Sequence, residues 1–189
     1  MSLPLSAGSD GELAALALAG RQDAYRELLA RHRDAVFRLV RASVGDPHEA
    51  LDVTQETFIA AFSALGRYDH GRPFVAWLKH IALNKCRDWG RRRKVRAFFT
   101  RAVPLEMAFD VSDDAIPADV QAADRAELAR VPAAICRLPS RLREALVLRT
   151  IDGLGQAEAA DVLGVSEKTV ETRLYRARGK LKAMLGDQI

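Results

Sequence analysis

Apolar residues in this chain recur at spacings of three and four and nowhere in sustained alternation, which restricts the fold to packed helices. Between Gln22 and Val44 the stripe is Tyr25, Leu28, Leu29, Val36, Leu39 and Val40. Side chains at those spacings share one side of an α-helix, so one face is buried and the other is wet. Pro47 suits the first turn of the next helix, where its fixed φ helps and its missing N–H costs nothing. That helix buries Val53, Phe58, Ala61, Phe62 and Leu65, and Gly66 to Arg72 breaks it. Pro73 then opens a third long helix with Phe74, Trp77, Leu78, Ile81 and Trp89 inward. The same periodicity predicts helices over roughly 124–137, 140–151, 156–163 and 167–185. No repeat is evident. The fold class is all-α: two small helical domains joined by a flexible linker.

The division into domains comes from charge. Of 189 residues, 29 are Lys or Arg and 25 Asp or Glu, a net +4. From Lys85 to Arg101 there are eight basic residues and one acid, Asp88. From Ala102 to Leu128 there are seven acids and one base, a net −6, so the remainder carries +10. That acidic window holds Pro104 and Pro117 and reads as a linker. The expected organisation is a first domain over 1–96, a linker over 97–128 and a second domain over 129–189. A 49% hydrophobic content argues against global disorder. The longest uncharged stretch, Thr57 to Gly66, is ten residues, too short for a membrane span of about 18. No secretory signal opens the chain, so a cytoplasmic protein is expected. Cys86 and Cys136 form no disulfide framework or metal-ligand spacing, and structural burial is the favoured role for both.

The segment from Gln156 to Arg178 is the more transparent half. Gly164 follows the last periodic residue, Leu163, where a left-handed helix cap is cheapest. Ser166 then caps a helix with the stripe Val170, Leu174, Ala177 and Leu181. A short helix, a tight turn and a long polar helix make a helix-turn-helix. Ser166, Lys168, Thr169, Thr172, Arg173 and Arg176 stand where side chains reach a major groove and its phosphates, and Glu171 suits a cytosine amino group. The alternative is a helical hairpin with a solvated basic face.

In the first domain, Asp52, Gln55 and Glu56 share one helix face opposite Phe58 and Phe62, a docking surface or simply a solvated one. On the third helix His80, Asn84, Arg87 and Arg91 line the side opposite the apolar stripe. With Tyr68 in the preceding loop, they suggest a nucleic-acid surface with an aromatic for stacking.

The chain resembles bacterial RNA polymerase sigma factors of the extracytoplasmic-function class. The resemblance rests on Asp52-Val-Thr-Gln-Glu-Thr-Phe58, on Phe74-Val-Ala-Trp-Leu-Lys-His-Ile-Ala-Leu-Asn84, and on Asp88 with its following arginines. In the second half it rests on Leu138-Pro139, Arg149, Asp152-Gly153, and the run from Glu158 through Thr169-Val170 to Arg176-Ala-Arg178. It covers most of residues 22–95 and 135–185, and implies region 2 followed by the region 4 helix-turn-helix. It implies that Asp52, Gln55 and Glu56 dock on the coiled coil of the polymerase's largest subunit, with further docking on the flap. The resemblance further implies that the −10 element is read by Tyr68, Asp69, His70 and Arg72 in the loop pocket, with His80 and Asn84 as polar contacts and Arg87, Arg91 and Arg92 on phosphates. The second domain would read the −35 element as duplex. A dissociable promoter-specificity subunit follows, with no catalysis, cofactor, metal site or membrane insertion of its own, and an anti-sigma partner. Leu51, Ala159, Lys168 and Glu171 depart from the family's usual residues.

Two promoter elements two helical turns apart lie about 70 Å from each other. A flexible linker of this length has a root-mean-square span of about 30 Å, so the polymerase has to hold the domains apart. The competing reading is a stand-alone helix-turn-helix regulator. An enzyme has little support, because the four histidines are dispersed and no nucleophile–base set or phosphate-cradling glycine loop is present.

Overall fold

The computed structural model describes residues 7–102 and 130–186. The first helix, α1 (Asp10–Leu18), lies in the stretch that periodicity left unassigned. It starts on a capping box: the Ser9 hydroxyl accepts from the Glu12 N–H, and the Glu12 carboxylate accepts from the Ser9 N–H at 2.7 Å. Asp10 then pins α1 to α2 (Gln22–Val44), meeting Arg31 at 3.1 Å and His32 at 2.8 Å.

Helix α3 (Pro47–Ser63) begins at Pro47 as expected, with the Asp46 side chain accepting from the Glu49 N–H at 2.9 Å. After a 3-10 turn at Leu65–Arg67, α4 (Phe74–Ala102) runs 29 residues and continues past residue 96, where the linker was expected to begin. Leu28, Leu39, Val53, Phe74 and Leu78 fill the core between α2, α3 and α4. Trp77 and Ile81 pack only partly buried against it.

In the second domain residues 130–137 form α5, followed by α6 (Ser140–Thr150), α7 (Gln156–Leu163) and α8 (Glu167–Leu185). The expected helix start near residue 124 lies outside the described residues. Gly164 takes the left-handed conformation, φ 63° and ψ 41°, and the Ser166 hydroxyl accepts from the Thr169 N–H, as the turn chemistry predicts. Val170, Leu174, Ala177 and Leu181 are buried under α6 and α7, around Ala145, Leu148 and Val162. No strand occurs among the described residues.

The two domains are in contact. Helices α6 and α7 lie against α2 and α4. At the junction Gly45, with φ 91°, packs so closely that a Cβ there would lie 2.8 Å from the Cys136 sulfur. Helical periodicity identifies buried faces but is silent on which domain buries them, so this contact was not anticipated.

Leu148 is fully buried. Leu148→Ala is therefore expected to lower stability by roughly 2–5 kcal/mol in urea unfolding, against about 1 kcal/mol for loss of the cap in Ser166→Ala.

Candidate polymerase and promoter interface

Helix α8 presents its polar side outward. Ser166, Lys168, Glu171, Thr172 and Arg176 are exposed, while Thr169 and Arg173 are partly covered. Lys168 bridges to Glu171 at 3.0 Å, so the cation and the acid offered to DNA are already paired with each other. That exposed pair is worth little and would part readily for a phosphate or base edge. Tyr175, 81% exposed, follows Thr172 by three residues on the same face.

The loop before α4 has a different character from the one its residues suggest. Tyr68 is buried, 7% exposed, and its hydroxyl donates to the Arg72 carbonyl at 2.6 Å. Its ring packs on His70, Phe74 and Trp77 at centroid distances of 4.9, 5.2 and 5.3 Å. It props the loop as a wall and is not a free stacking surface. Asp69, His70 and Arg72 are exposed around it, with Asp69 accepting from the Gly71 N–H at 2.9 Å.

On α3 the expected docking residues divide between two surfaces. Gln55 is exposed at the edge of an apolar groove between α2 and α3, where Leu51 and Ile59 stand 51% and 67% exposed. Asp52 and Glu56 instead line a cleft shared with α4, beside Trp89, Arg92 and Arg96. Arg92 donates to Glu56 at 2.9 Å, and the Trp89 indole donates to Glu49 at 2.6 Å. Thus Arg92, expected on phosphate, is paired to a residue expected on polymerase. Arg91 pairs with Asp88.

Part of the remaining face of α4 meets the second domain, although His80 stays exposed. Arg87 forms a two-pronged bridge to Glu144 of α6, Nε and Nη2 both at 2.6 Å, and its third nitrogen donates to Asn84 Oδ1 at 2.8 Å. His80 Nδ1 lies 2.9 Å from the Val162 carbonyl of α7, which can only accept, so Nδ1 carries the proton. Lys79 meets Asp152, in the loop after α6, at 2.6 Å with both side chains nearly buried.

Two family models match the chain: sigma-70 region 2 over residues 28–96, and sigma-70 region 4 over residues 128–181. RNA polymerase sigma factor CnrH of Cupriavidus metallidurans is 46% identical over 181 residues, covering 94% of both chains. The extracytoplasmic-function sigma factor SigW of Bacillus subtilis is 33% identical over 174 residues, covering 89% of this chain and 92% of its own. The chain is a sigma factor of the extracytoplasmic-function class. The solved structure of CnrH in complex with the cytosolic domain of CnrY matches with a TM-score of 0.69 at 38% identity, over 96% of this chain and all of that one. RpoE of Bartonella quintana, solved with the anti-sigma factor NepR, shares the fold with a TM-score of 0.64 at 22% identity, over 87% of this chain and 98% of its own.

This sigma factor is thus a promoter-directing subunit, and no described helix is long and apolar enough to cross a membrane. Lys79 and Asp152 lie in motifs that carry the family resemblance, but nothing in the sequence indicates that they pair with each other, or that Glu144 pairs with Arg87. Tyr175 could have been flagged, as an aromatic off the apolar stripe of α8.

Cys86 is buried, as expected of a structural residue, whereas Cys136 is only partly covered. Burial pushes the Cys86 thiol up to about 12 and raises that of Cys136. A thiol reacts through its thiolate. Cys86 of the native sigma factor should therefore resist iodoacetamide at pH 8 and label only after unfolding, as read by mass spectrometry.

Proposed function

We propose that this sigma factor docks on core polymerase through the α3 side of its first domain and reads promoters with α4 and α8. The observation that carries the reading is α8: a capped helix whose apolar stripe is fully used in packing, leaving a row of polar and basic groups outward. A helix so divided suits a major groove, where Lys168, Thr169, Glu171 and Thr172 reach base edges and Ser166, Arg173 and Arg176 reach edges or phosphates. In the −10 reader, Asp69, His70 and Arg72 make the edge contacts around a loop that Tyr68 holds in shape. His80 and Asn84 add polar contacts, and Arg87, Arg91 and Arg92 hold phosphates.

For docking, Asp52 and Glu56 offer carboxylates to arginines of the largest-subunit coiled coil. The exposed Leu51 and Ile59 beside Gln55 add an apolar element, which supports a protein partner over bare solvent. The region 4 domain would meet the flap. Its setting is the cytoplasm, where an anti-sigma protein holds it in check; the complexes in which CnrH and RpoE were solved support this.

Run-off transcription with purified core polymerase tests the whole reading, since a stand-alone regulator would bind duplex DNA without conferring initiation. Asp52 is exposed. Asp52→Lys is therefore expected to weaken core binding with an unchanged melting curve, and unchanged core affinity would remove the assignment. Arg176→Ala should weaken −35 duplex binding evenly across sequences and reduce the salt slope by about 1 if it holds a phosphate.

A further inference from the structure

We propose that Asp10, in the first turn of α1, is a positioning residue that sets His70 for the −10 element. The assignment rests on the base-edge contact given to His70 above. Helix α1 precedes residues 28–96, which match region 2, so part of the reading head lies outside that match. Within the loop, Asp69 is tied by the Gly71 N–H and lies 3.8 Å from Arg72. His70 is held differently. Among the described residues no hydrogen bond fixes its ring, so packing alone orients it. Two surfaces bound the ring. Tyr68 lies 4.9 Å away, centroid to centroid, and Nδ1 of His70 faces Gly11 of α1. A Cβ at Gly11 would lie 3.5 Å from that nitrogen, an ordinary contact, so a side chain reaching further would crowd the ring.

Both surfaces lead back to Asp10. Its carboxylate accepts from Arg31 at 3.1 Å through Oδ1 and from His32 Nε2 at 2.8 Å through Oδ2. The Asp10 and His32 side chains are only 27% and 12% exposed. A carboxylate held by both oxygens has its orientation fixed as well as its place. Gly11 is the next residue, so the same clamp sets the backbone against which His70 leans. His32 in turn packs on Phe74 at 5.4 Å, Phe74 on Tyr68 at 5.2 Å, and Tyr68 on His70. Helix α1 does not depend on the clamp in order to form or to dock. It starts on the Ser9–Glu12 capping box, and Leu13, Ala14 and Ala17 bury its inner face. What Asp10 adds is the setting of the first turn, where α1 meets the loop.

The test uses the full chain assembled with core polymerase. A promoter that the wild-type holoenzyme opens is randomised over its −10 element, and the bound fragments are sequenced. Asp10→Ala is expected to lower base discrimination about fivefold at one position, the worth of a single hydrogen bond to a base edge. Core affinity and −35 duplex binding should hold. His70→Ala should lose discrimination at that same position, and the double variant should lose no more than His70→Ala alone, because Asp10 acts through His70. Asp10→Asn, which keeps the shape and an acceptor, should recover part of the loss. Gly11→Leu favours the helix yet crowds the ring, and serves if Asp10→Ala fails to fold. Preference unchanged in Asp10→Ala and Gly11→Leu, but lost in His70→Ala, overturns the proposal. A loss spread over every −10 position does so too, as the mark of a domain generally loosened. If His70→Ala itself leaves the preference intact, the base-edge contact fails first and Asp10 has nothing to position.

Discussion

Helix α4 divides its circumference among three neighbours, and the arrangement of the molecule follows from that division. Phe74, Leu78 and Cys86 enter the core of the first domain. Trp89 and Arg92 reach across to Glu49 and Glu56 of α3. Lys79 and Arg87 reach the other way, to the second domain. An α-helix gives each residue a direction set by its 100° step, so the three sets of contacts coexist without competing for the same side chains. Beyond those contacts, Arg91 to Arg96 of α4 remain exposed.

The charge distribution sets the character of this junction. A hydrophobic junction of similar size would hold the domains together in water and expose a sticky surface when they part. Here the contact includes the ion pairs Lys79–Asp152 and Arg87–Glu144. The net +4 of the whole chain conceals this economy: the −6 of residues 102–128 offsets basic domains whose cations are in part already engaged with acids of their own. Glu56 and Arg92 illustrate it, since each is a candidate contact for a different partner and each now satisfies the other.

Much of the secondary structure was legible because local chemistry specifies helix ends. Asp46-Pro47 starts α3, and Gly164 and Ser166 place the turn between α7 and α8 within a residue. The same rules were available for α1, whose Ser9 and Glu12 form a capping box, but its apolar face is built of alanines and leucines too uniform to show a clear stripe. The α8 surface was legible for the same local reason, its polar side being the complement of a four-residue stripe. Tyr68 was not, because a tyrosine in a loop reads as available until its ring is seen against Phe74 and Trp77.

By itself the sequence determined an all-helical chain, two basic domains, the helix-turn-helix and the family to which both belong. These follow from periodicity, capping and motif spacing, all of which act over a few residues. Tertiary structure alone decided that Asp152 and Glu144 are buried, that Arg92 answers Glu56, and that α7 packs on α4 and α6 on α2. Glu144 pairs across 57 positions and Asp152 across the same junction. A charge written in a sequence carries no indication of its partner at such range, because Coulomb attraction acts on distances that only the folded chain sets.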